Sequence, residues 1–332
     1  MPRSALTALF FILAAIVAPA TGKSEPASPK ASLVFDAVTE IRAEVPVDAR
    51  TAQALGTERQ GSGVVIDDSG LIATIGYLIL EASAVTVTDI DGHELPADIV
   101  AYDHDTGLGL VRALGPMGRP SLSLGDSADL ARGEPVLVVS SPGAEGALPA
   151  AVVDVRTFTG YWEYMLEGAL FVHPPHPAWQ GAAMVGADGR LLGIGSLFSN
   201  DAQRRPVRRP GNMFVPVDAL KAVLADMLTE GRGAASRRPW LGIFSSDLGG
   251  YVAVTFVSPD GPAAAAGIRR GDVILKVGEK GIRTMTDFYR AVWALGDPGV
   301  AVPLTIGRED HVERVSITSG DRYRYLKLEK TY

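Results

Sequence analysis

GSGVVIDDSGLIAT, residues 61–74, shows how this chain folds locally. Three apolar residues, 64–66, are followed by four turn-forming residues, 67–70, and then by a second apolar pair, which is the pattern of a β-hairpin. Residues 184–192 repeat this pattern, and short apolar runs separated by turns continue from about residue 38 to residue 199. These patterns alone predict a mostly β fold of the sandwich or barrel class.

The same stretch carries a family resemblance, because it closely resembles a signature of the HtrA/Deg-type trypsin-like serine proteases. The resemblance implies two packed six-stranded β-barrels, the first ending near Ser127. In that family Ala-Thr is followed by two residues and then by the catalytic His, which puts Tyr77 in the His position. The motifs DHDTGLGL, from residue 103, and HPAWQGAAM, from residue 176, put Gly107 in the Asp position and Gln180 in the Ser position.

These three replacements remove the chemistry of a catalytic triad, which needs a nucleophile, a base and a group that orients the base. Gln180 has no hydroxyl, Gly107 has no side chain, and a tyrosine such as Tyr77 has a reference pKa of about 10. The loop around the nucleophile position also has Ala178 and Ala182 where the family has Gly. We therefore predict a catalytically degenerate protein with no catalytic residue at these positions.

Two alternative interpretations of the barrels stay open. An active serine endopeptidase would need an unconventional site, for which His104, between two acidic residues, is a candidate. A metal-binding module would use His173 and His176, although the Pro-Pro pair between them is incompatible with a helix that would align their rings. The chain has no Cys, which excludes disulfides, thiol catalysis and Cys-based metal sites. We expect neither a metal nor a cofactor.

Residues 238–322 resemble a bacterial PDZ domain of the kind fused to these proteases. The matching motifs are RPWLGI from residue 238, PDGPA from residue 259 and AGIRRGDVI from residue 266. The resemblance implies a small α+β domain that binds extended peptides, with backbone amides capturing a terminal carboxylate. Leu241, Gly242 and Ile243 match the carboxylate-binding loop and are the predicted peptide-binding residues.

The apolar spacing after residue 284 predicts a helix that begins near Thr286. One apolar face would pack in the core of the domain: Phe288, Ala291, Val292 and Leu295. A second stripe follows the spacing i, i+4, i+8: Met285, Tyr289 and Trp293. This stripe either lines the peptide groove or packs against the sheet or the barrels.

The N-terminus has the pattern of an export signal. A positive charge at Arg3, the apolar run Leu6–Val17 and an A-x-A site at residues 18–20 predict a signal peptide and a periplasmic location. A short uncleaved anchor in the inner membrane is the alternative. The net charge of −7 argues against general nucleic-acid binding.

These expectations combine into one domain plan for the chain. It has a signal peptide (1–20), a linker (21–32), a protease-like domain (33–230), a second linker (231–237), a PDZ domain (238–322) and a tail (323–332). The predicted function is that of an exported HtrA-like pseudoprotease that binds peptides or protein C-termini and acts as a scaffold, chaperone or regulator. Its partners would include a protease or an envelope protein, and the resemblance implies a homotrimer with Phe35 as a contact.

Overall fold

The computed structural model describes residues 29–233, 237–326 and 328. The predicted signal peptide and most of the first predicted linker lie outside these residues. Helix α1, Pro29–Asp36, begins inside the stretch expected to be a linker, and Phe35 packs from it against a hydrophobic core that contains residues of both barrels. Within the described ranges no helix combines the length and the apolar character needed to cross a membrane.

Six antiparallel strands close into the first barrel in the order β1-β2-β3-β6-β5-β4. They are β1 Val38–Glu44, β2 Glu58–Val65, β3 Leu71–Ile75, β4 Ala84–Thr88, β5 Glu94–Tyr102 and β6 Leu108–Ala113. Helix α2, Ala52–Leu55, and a 3₁₀ turn, Gly76–Leu78, lie between strands. The predicted hairpin is β2–β3, whose turn is held by the Asp67 carboxylate, which accepts the amides of Ser69 at 2.8 Å and Leu71 at 2.9 Å.

The second barrel closes in the order β10-β11-β12-β9-β8-β7. Its strands are β7 Pro135–Val139, β8 Ala147–Gly160, β9 Tyr164–His173, β10 Ala183–Val185, β11 Leu191–Gln203 and β12 Arg209–Pro216. A 3₁₀ turn, Gly143–Gly146, precedes β8, and helix α3, Val217–Glu230, follows β12. Closure leaves neither barrel with a free sheet edge.

The C-terminal domain is a sheet in the order β13-β14-β15-β17-β18, with the short strand β16 paired to β15. Its elements are β13 Ile243–Leu248, β14 Tyr251–Val257, α4 Pro262–Ala265, β15 Val273–Val277, β16 Lys280–Gly281, α5 Met285–Trp293, β17 Ala301–Arg308, β18 His311–Thr318 and α6 Arg322–Tyr325. Strand β13 therefore lies at an edge of this sheet. Helix α5 begins one residue before the predicted start, after the N-cap Thr284. The helix ends at Trp293, so Leu295 lies beyond it with 37% of its surface exposed, and its expected place in the core face was wrong.

The C-terminal domain contacts both barrels. Helix α6, at the start of the segment expected to be a tail, packs on the first barrel, where the Tyr323 hydroxyl donates to the carbonyl of Tyr102 at 3.0 Å. The β8–β9 hairpin of the second barrel reaches the C-terminal domain, and Met165 from this hairpin is part of that domain's hydrophobic core. The predicted fold class, two six-stranded β-barrels followed by a small α+β domain, is confirmed.

Candidate functional site

Backbone hydrogen bonds bring the three triad positions to the seam between the barrels. Tyr77 lies in the 3₁₀ turn after β3, and the amide of the preceding Gly76 donates to the carbonyl of Gly107 at 2.7 Å. The carbonyl of Gln180, in the loop before β10, accepts the amide of Ser62 from the first barrel at 2.7 Å. The segments that carry the three predicted triad positions are therefore joined by these two hydrogen bonds, one within the first barrel and one between the barrels.

The Tyr77 side chain ties the two barrels together. Its hydroxyl donates to the carbonyl of Ser196 at 2.8 Å and accepts a hydrogen bond from the Trp179 ring. Burial raises the pKa of Tyr77 far above its usual value, and the Trp179 hydrogen bond only partly offsets this effect. The phenol therefore stays protonated at neutral pH and does not act as a general base.

The space beside Gly107 is filled by Tyr164. Gly107 has a φ of +76°, and a Cβ added there would lie 3.3 Å from the Tyr164 hydroxyl. That hydroxyl donates to the carbonyl of Thr106 at 2.8 Å. The buried Asp103 holds the same turn by accepting from the amide and the hydroxyl of Thr106, at 2.8 and 2.7 Å. An orienting carboxylate at position 107 would need a strained backbone and a displaced Tyr164.

The amide of Ala178 already has a hydrogen-bond partner. It donates to Nδ1 of His176 at 3.0 Å, and Nε2 of the same ring donates to the carbonyl of Gly146 at 2.9 Å, which assigns the neutral tautomer. In serine proteases the amide two positions before the nucleophile is one of the two oxyanion donors. At the position that the family motifs predict for this donor, the amide bonds to His176 instead. The sequence allowed hydrogen-bonding roles for the His residues but gave no signal that His176 binds this amide.

The histidines proposed as metal ligands are used in other ways. Both ring nitrogens of His176 bond to the backbone, and Nδ1 of His173 donates to the carbonyl of Pro210 at 2.7 Å. Within the described ranges, one group of three side chains has the spacing of metal ligands, and it lies elsewhere: Asp89, Asp91 and His93. Arg119 already pairs with both of these aspartates.

His104, the candidate for an unconventional site, lies between the barrels and the C-terminal domain. Its Nε2 accepts from Arg322 at 2.7 Å, and its Nδ1 lies 3.1 Å from the Tyr102 hydroxyl. Burial, reinforced by the positive charge of Arg322, lowers the pKa of His104 well below its usual value. Burial also raises the pKa of the neighbouring Asp105 to about 7, although Arg238 lies 3.2 Å away and opposes this shift.

The predicted carboxylate-binding loop lies at the start of edge strand β13 and contacts a carboxylate of the same chain. The amides of Leu241 and Ile243 donate to the side chain of Glu163, at 3.0 and 2.7 Å. Gly242 between them has a φ of +79°, and an added Cβ would lie 3.1 Å from the side chains of Trp240 and Ser258. Glu163, just before β9, is 5% exposed. No local sequence signal identifies Glu163, because the two contacts join residues 78 and 80 positions apart.

The carboxyl of Glu163 is buried, and hydrogen bonds from the loop amides compensate in part for the loss of its hydration. Burial raises the pKa of Glu163 above its usual value, and the hydrogen bonds from the loop amides and the charge of Arg322 only partly offset this effect. A buried ionised carboxylate persists only when such partners replace its hydration. The loop therefore provides the donors and the geometry that a carboxylate requires.

The second stripe of α5 faces the same place. The Tyr289 hydroxyl donates to the carbonyl of Gly160 at 2.8 Å and lies 3.1 Å from the Ser245 hydroxyl. Trp293 stacks on Tyr289 with 5.6 Å between ring centroids, and the Arg238 guanidinium lies over Trp293 at 4.1 Å. The stripe therefore contacts β13 and the second barrel, as the packing alternative predicted, and its role in a peptide groove stays a prediction.

Comparison with protein families identifies both parts of the chain. A model of the trypsin-like peptidase domain matches residues 61–194, and a model of the PDZ domain matches residues 239–318. Among solved structures, the serine endoprotease from Yersinia pestis has a TM-score of 0.53 at 24% identity and covers 90% of this chain and 99% of that one. The HtrA-type protease AlgW with a tripeptide gives the same TM-score at 21% identity, over 88% of this chain and 95% of that one.

Curated relatives have the same family character. A probable periplasmic serine endoprotease DegP-like from Halomonas elongata is 26% identical over 289 residues, which are 81% of this chain and 58% of the relative. Serine protease PepD from Mycobacterium tuberculosis is 28% identical over 312 residues, or 86% of this chain and 66% of the relative. The chain thus spans about three fifths of the length of these relatives. It matches a trypsin-like peptidase domain followed by a C-terminal PDZ domain, and it is similar to DegP-like and HtrA-type proteases.

Proposed function

We propose that this chain is an exported HtrA-type pseudoprotease that binds peptides or protein C-termini through Leu241, Gly242 and Ile243. Its role would be to scaffold, chaperone or regulate the proteins it binds, among them a protease or an envelope protein. Assembly into a homotrimer is part of the same proposal.

One observation carries the binding role: the loop already holds a carboxylate through the amides of Leu241 and Ile243. A terminal carboxylate offers the same two oxygens to the same donors. A peptide running from the loop along β13 would add a strand to the edge of the sheet, which is how PDZ domains bind extended segments.

Three residues where the barrels meet support the proposed lack of proteolysis. Gln180 supplies no nucleophile, and the Tyr77 phenol is protonated and bonded to Ser196 and Trp179. The amide of Ala178, equivalent to one oxyanion donor, bonds to His176. These features affect the nucleophile, the base and the oxyanion separately, so a single replacement would not restore turnover.

Two measurements on the full chain test this function. A disordered substrate and a serine-directed fluorophosphonate probe should give neither turnover nor covalent labelling. Peptides with free C-termini should bind, and amidation of the terminus should weaken binding at least about tenfold, since each hydrogen bond to a charged group contributes about 1.5–3 kcal/mol. Labelling inside the barrels, or equal binding of amidated and free-acid peptides, would contradict the proposal.

The proposed export is tested separately. The relatives named above include a probable periplasmic endoprotease, and the pattern of residues 1–20 predicts cleavage after Ala20. The intact mass of the protein recovered from an expressing cell should correspond to a chain that begins at residue 21. A mass that retains Met1, in a membrane fraction, would support the anchor instead.

A further inference from the structure

The space between β13 and α5 is occupied by the turn that joins β8 to β9. We call residues 160–163, Gly-Tyr-Trp-Glu, the hairpin tip. The tip contacts β13 through the Glu163 carboxylate and the Tyr161 carbonyl, and it contacts α5 through the carbonyl of Gly160. One segment of the chain therefore bonds to both walls of the groove in which a PDZ domain holds its ligand.

The direction of the tip along β13 is that of an added antiparallel strand. The amides of Leu241 and Ile243 donate to the Glu163 side chain, and the amide of Ser245 donates to the carbonyl of Tyr161 at 2.9 Å. The three donors therefore face the tip in one row, with Ser245 and Ile243 in β13 and Leu241 in the loop that precedes it. The tip runs from Ser245 towards Leu241, opposite to β13, with its carboxylate at the loop.

Apolar contacts and backbone strain accompany this pairing. Met165, which follows the tip, is buried in the hydrophobic core that contains Leu241 and Ile243. The Tyr161 ring lies 5.9 Å from that of Phe244. Glu163 has a φ of +55°, a left-handed backbone conformation that is unfavourable for a residue with a side chain. A strained residue of this kind persists where its surroundings hold it, and here the loop amides do so.

We infer that the hairpin tip is an internal ligand of the PDZ groove, in which the Glu163 side chain takes the place of a terminal carboxylate. This inference rests on the proposed peptide-binding function of the same groove. An incoming C-terminus competes with Glu163 for the amides of Leu241 and Ile243, and it binds only after the tip has left β13. Peptide binding is therefore coupled to separation of the PDZ domain from the second barrel.

Replacing Glu163 by Gln tests the competition directly. Gln keeps the size of the side chain but presents an NH₂ donor to one of two amide donors, so the tip loses a partner. Because apparent affinity is reduced by the fraction of molecules with an accessible groove, opening the groove raises the affinity for an external ligand. We expect E163Q to bind free-acid peptides at least about tenfold more tightly than the unchanged protein.

A matched control comes from the same hairpin. Glu167 also joins the second barrel to α5, through Arg290 at 2.7 Å, but both side chains are more than half exposed, at 67% and 52%. An exposed pair of this kind contributes little, so E167Q should change the apparent affinity by less than about fivefold. Equal effects of E163Q and E167Q would mean that any weakening of the interface opens the groove, and would overturn the role of the Glu163 carboxylate.

The experiment has two readouts on the full chain. Hydrogen exchange should show the amides of Ile243 and Ser245 protected in the unchanged protein and exchanging at least tenfold faster in E163Q. A fluorescent free-acid peptide library with four randomised C-terminal residues then measures affinity. If E163Q and the unchanged protein have the same exchange rates and the same affinity, the inference that the tip is an internal ligand is wrong. If exchange accelerates but neither protein binds the library, the tip occupies the groove and the proposed peptide binding is what fails.

A reversible lock gives a second test that does not depend on the folding of E163Q. The chain has no Cys, so Tyr161→Cys with Phe244→Cys creates the only two thiols. Joining them with a short, cleavable bis-thiol reagent should hold the tip on β13 and abolish library binding, and cleavage of the reagent should restore it. Undiminished binding by the locked protein would refute the inference.

Discussion

Restoring the three triad residues should not restore a protease of normal efficiency. The variant combines Tyr77→His, Gly107→Asp and Gln180→Ser, the residues expected at these positions in the family. It regains a nucleophile, a base and an orienting acid, but it keeps the hydrogen bond from the amide of Ala178 to His176. Turnover should stay low because this amide is not available to the oxyanion.

The magnitude follows from two features of the structure. Loss of one oxyanion donor typically lowers kcat by about 10²–10³-fold, or about 2.7–4 kcal/mol. Position 107 has a φ of +76°, and a Cβ there lies 3.3 Å from the Tyr164 hydroxyl, so the new Asp costs about 1–2 kcal/mol of stability. A second variant adds His176→Ala, which removes the acceptor that holds Ala178. Asn212 bonds to the backbone of residue 176 and should keep this loop in place.

The comparison of these two variants isolates the oxyanion effect, because both carry the same cost at position 107. Hydrolysis of unfolded casein and the rate of labelling by a fluorophosphonate should both be at least about tenfold faster with His176→Ala, and up to about 10³-fold. Thermal unfolding of both variants controls for stability. Equal rates with and without His176, or full activity of the triple variant, would refute the argument that His176 withholds an oxyanion donor.

Three further outcomes are expected. Tyr77→Phe removes the hydroxyl that joins the barrels and should lower the free energy of unfolding by about 1–3 kcal/mol in urea titrations. Gly242→Val should weaken free-acid peptide binding at least about tenfold in fluorescence anisotropy, because φ is +79° there. The raised pKa of Asp105, about 7, means that the folded state binds more protons than the unfolded chain between about pH 4 and 7. Unfolding free energy should therefore fall as pH rises through this window, by up to about 4 kcal/mol, and Asp105→Asn should flatten this fall in urea titrations at pH 5 and pH 8.

The fold was largely predictable because its signals are local. Within residues 61–74, an apolar run, a four-residue turn and a second apolar pair follow one another directly and predict a hairpin. The structure has β2 and β3 there, and the Asp67 carboxylate accepts hydrogen bonds within the turn. The family resemblance then supplied the closure into two six-stranded barrels, which apolar alternation alone did not distinguish from a sandwich. The end of α5 was missed because Leu295 continues the apolar spacing after the backbone has left the helix at Trp293.

The contacts of the candidate sites were not predictable in the same way. Tyr164 lies 57 positions from Gly107 and Glu163 lies 80 positions from Ile243, and nothing in either segment marks the other as its neighbour. His176 carried a signal, an H-x-x-H spacing, that suggested the wrong chemistry: its ring satisfies the backbone of Ala178 and Gly146. Such contacts depend on how the two barrels and the PDZ domain pack against each other, and the local sequence patterns do not predict this packing.

The same hairpin closes both sites, and this restricts how the PDZ groove can open. Glu163 bonds to the PDZ loop, whereas the next residue, Tyr164, is buried beside Gly107 and bonds to Thr106. Withdrawing the hairpin as a unit would therefore expose the ring of Tyr164 and break its hydrogen bond to the first barrel, which costs several kcal/mol for a buried aromatic residue (roughly 3–5 kcal/mol when such a ring is removed outright).

Movement of the PDZ domain away from a fixed hairpin breaks the hydrogen bonds to the amides of Leu241 and Ile243 and the apolar contact of Met165, which an incoming peptide can replace. It also breaks the hydrogen bonds from Tyr289 to Gly160 and from Tyr323 to Tyr102, which such a peptide does not replace. The ligand then compensates for part of what the tip loses. On this path Tyr164 keeps its place beside Gly107, and peptide binding does not open the seam between the barrels.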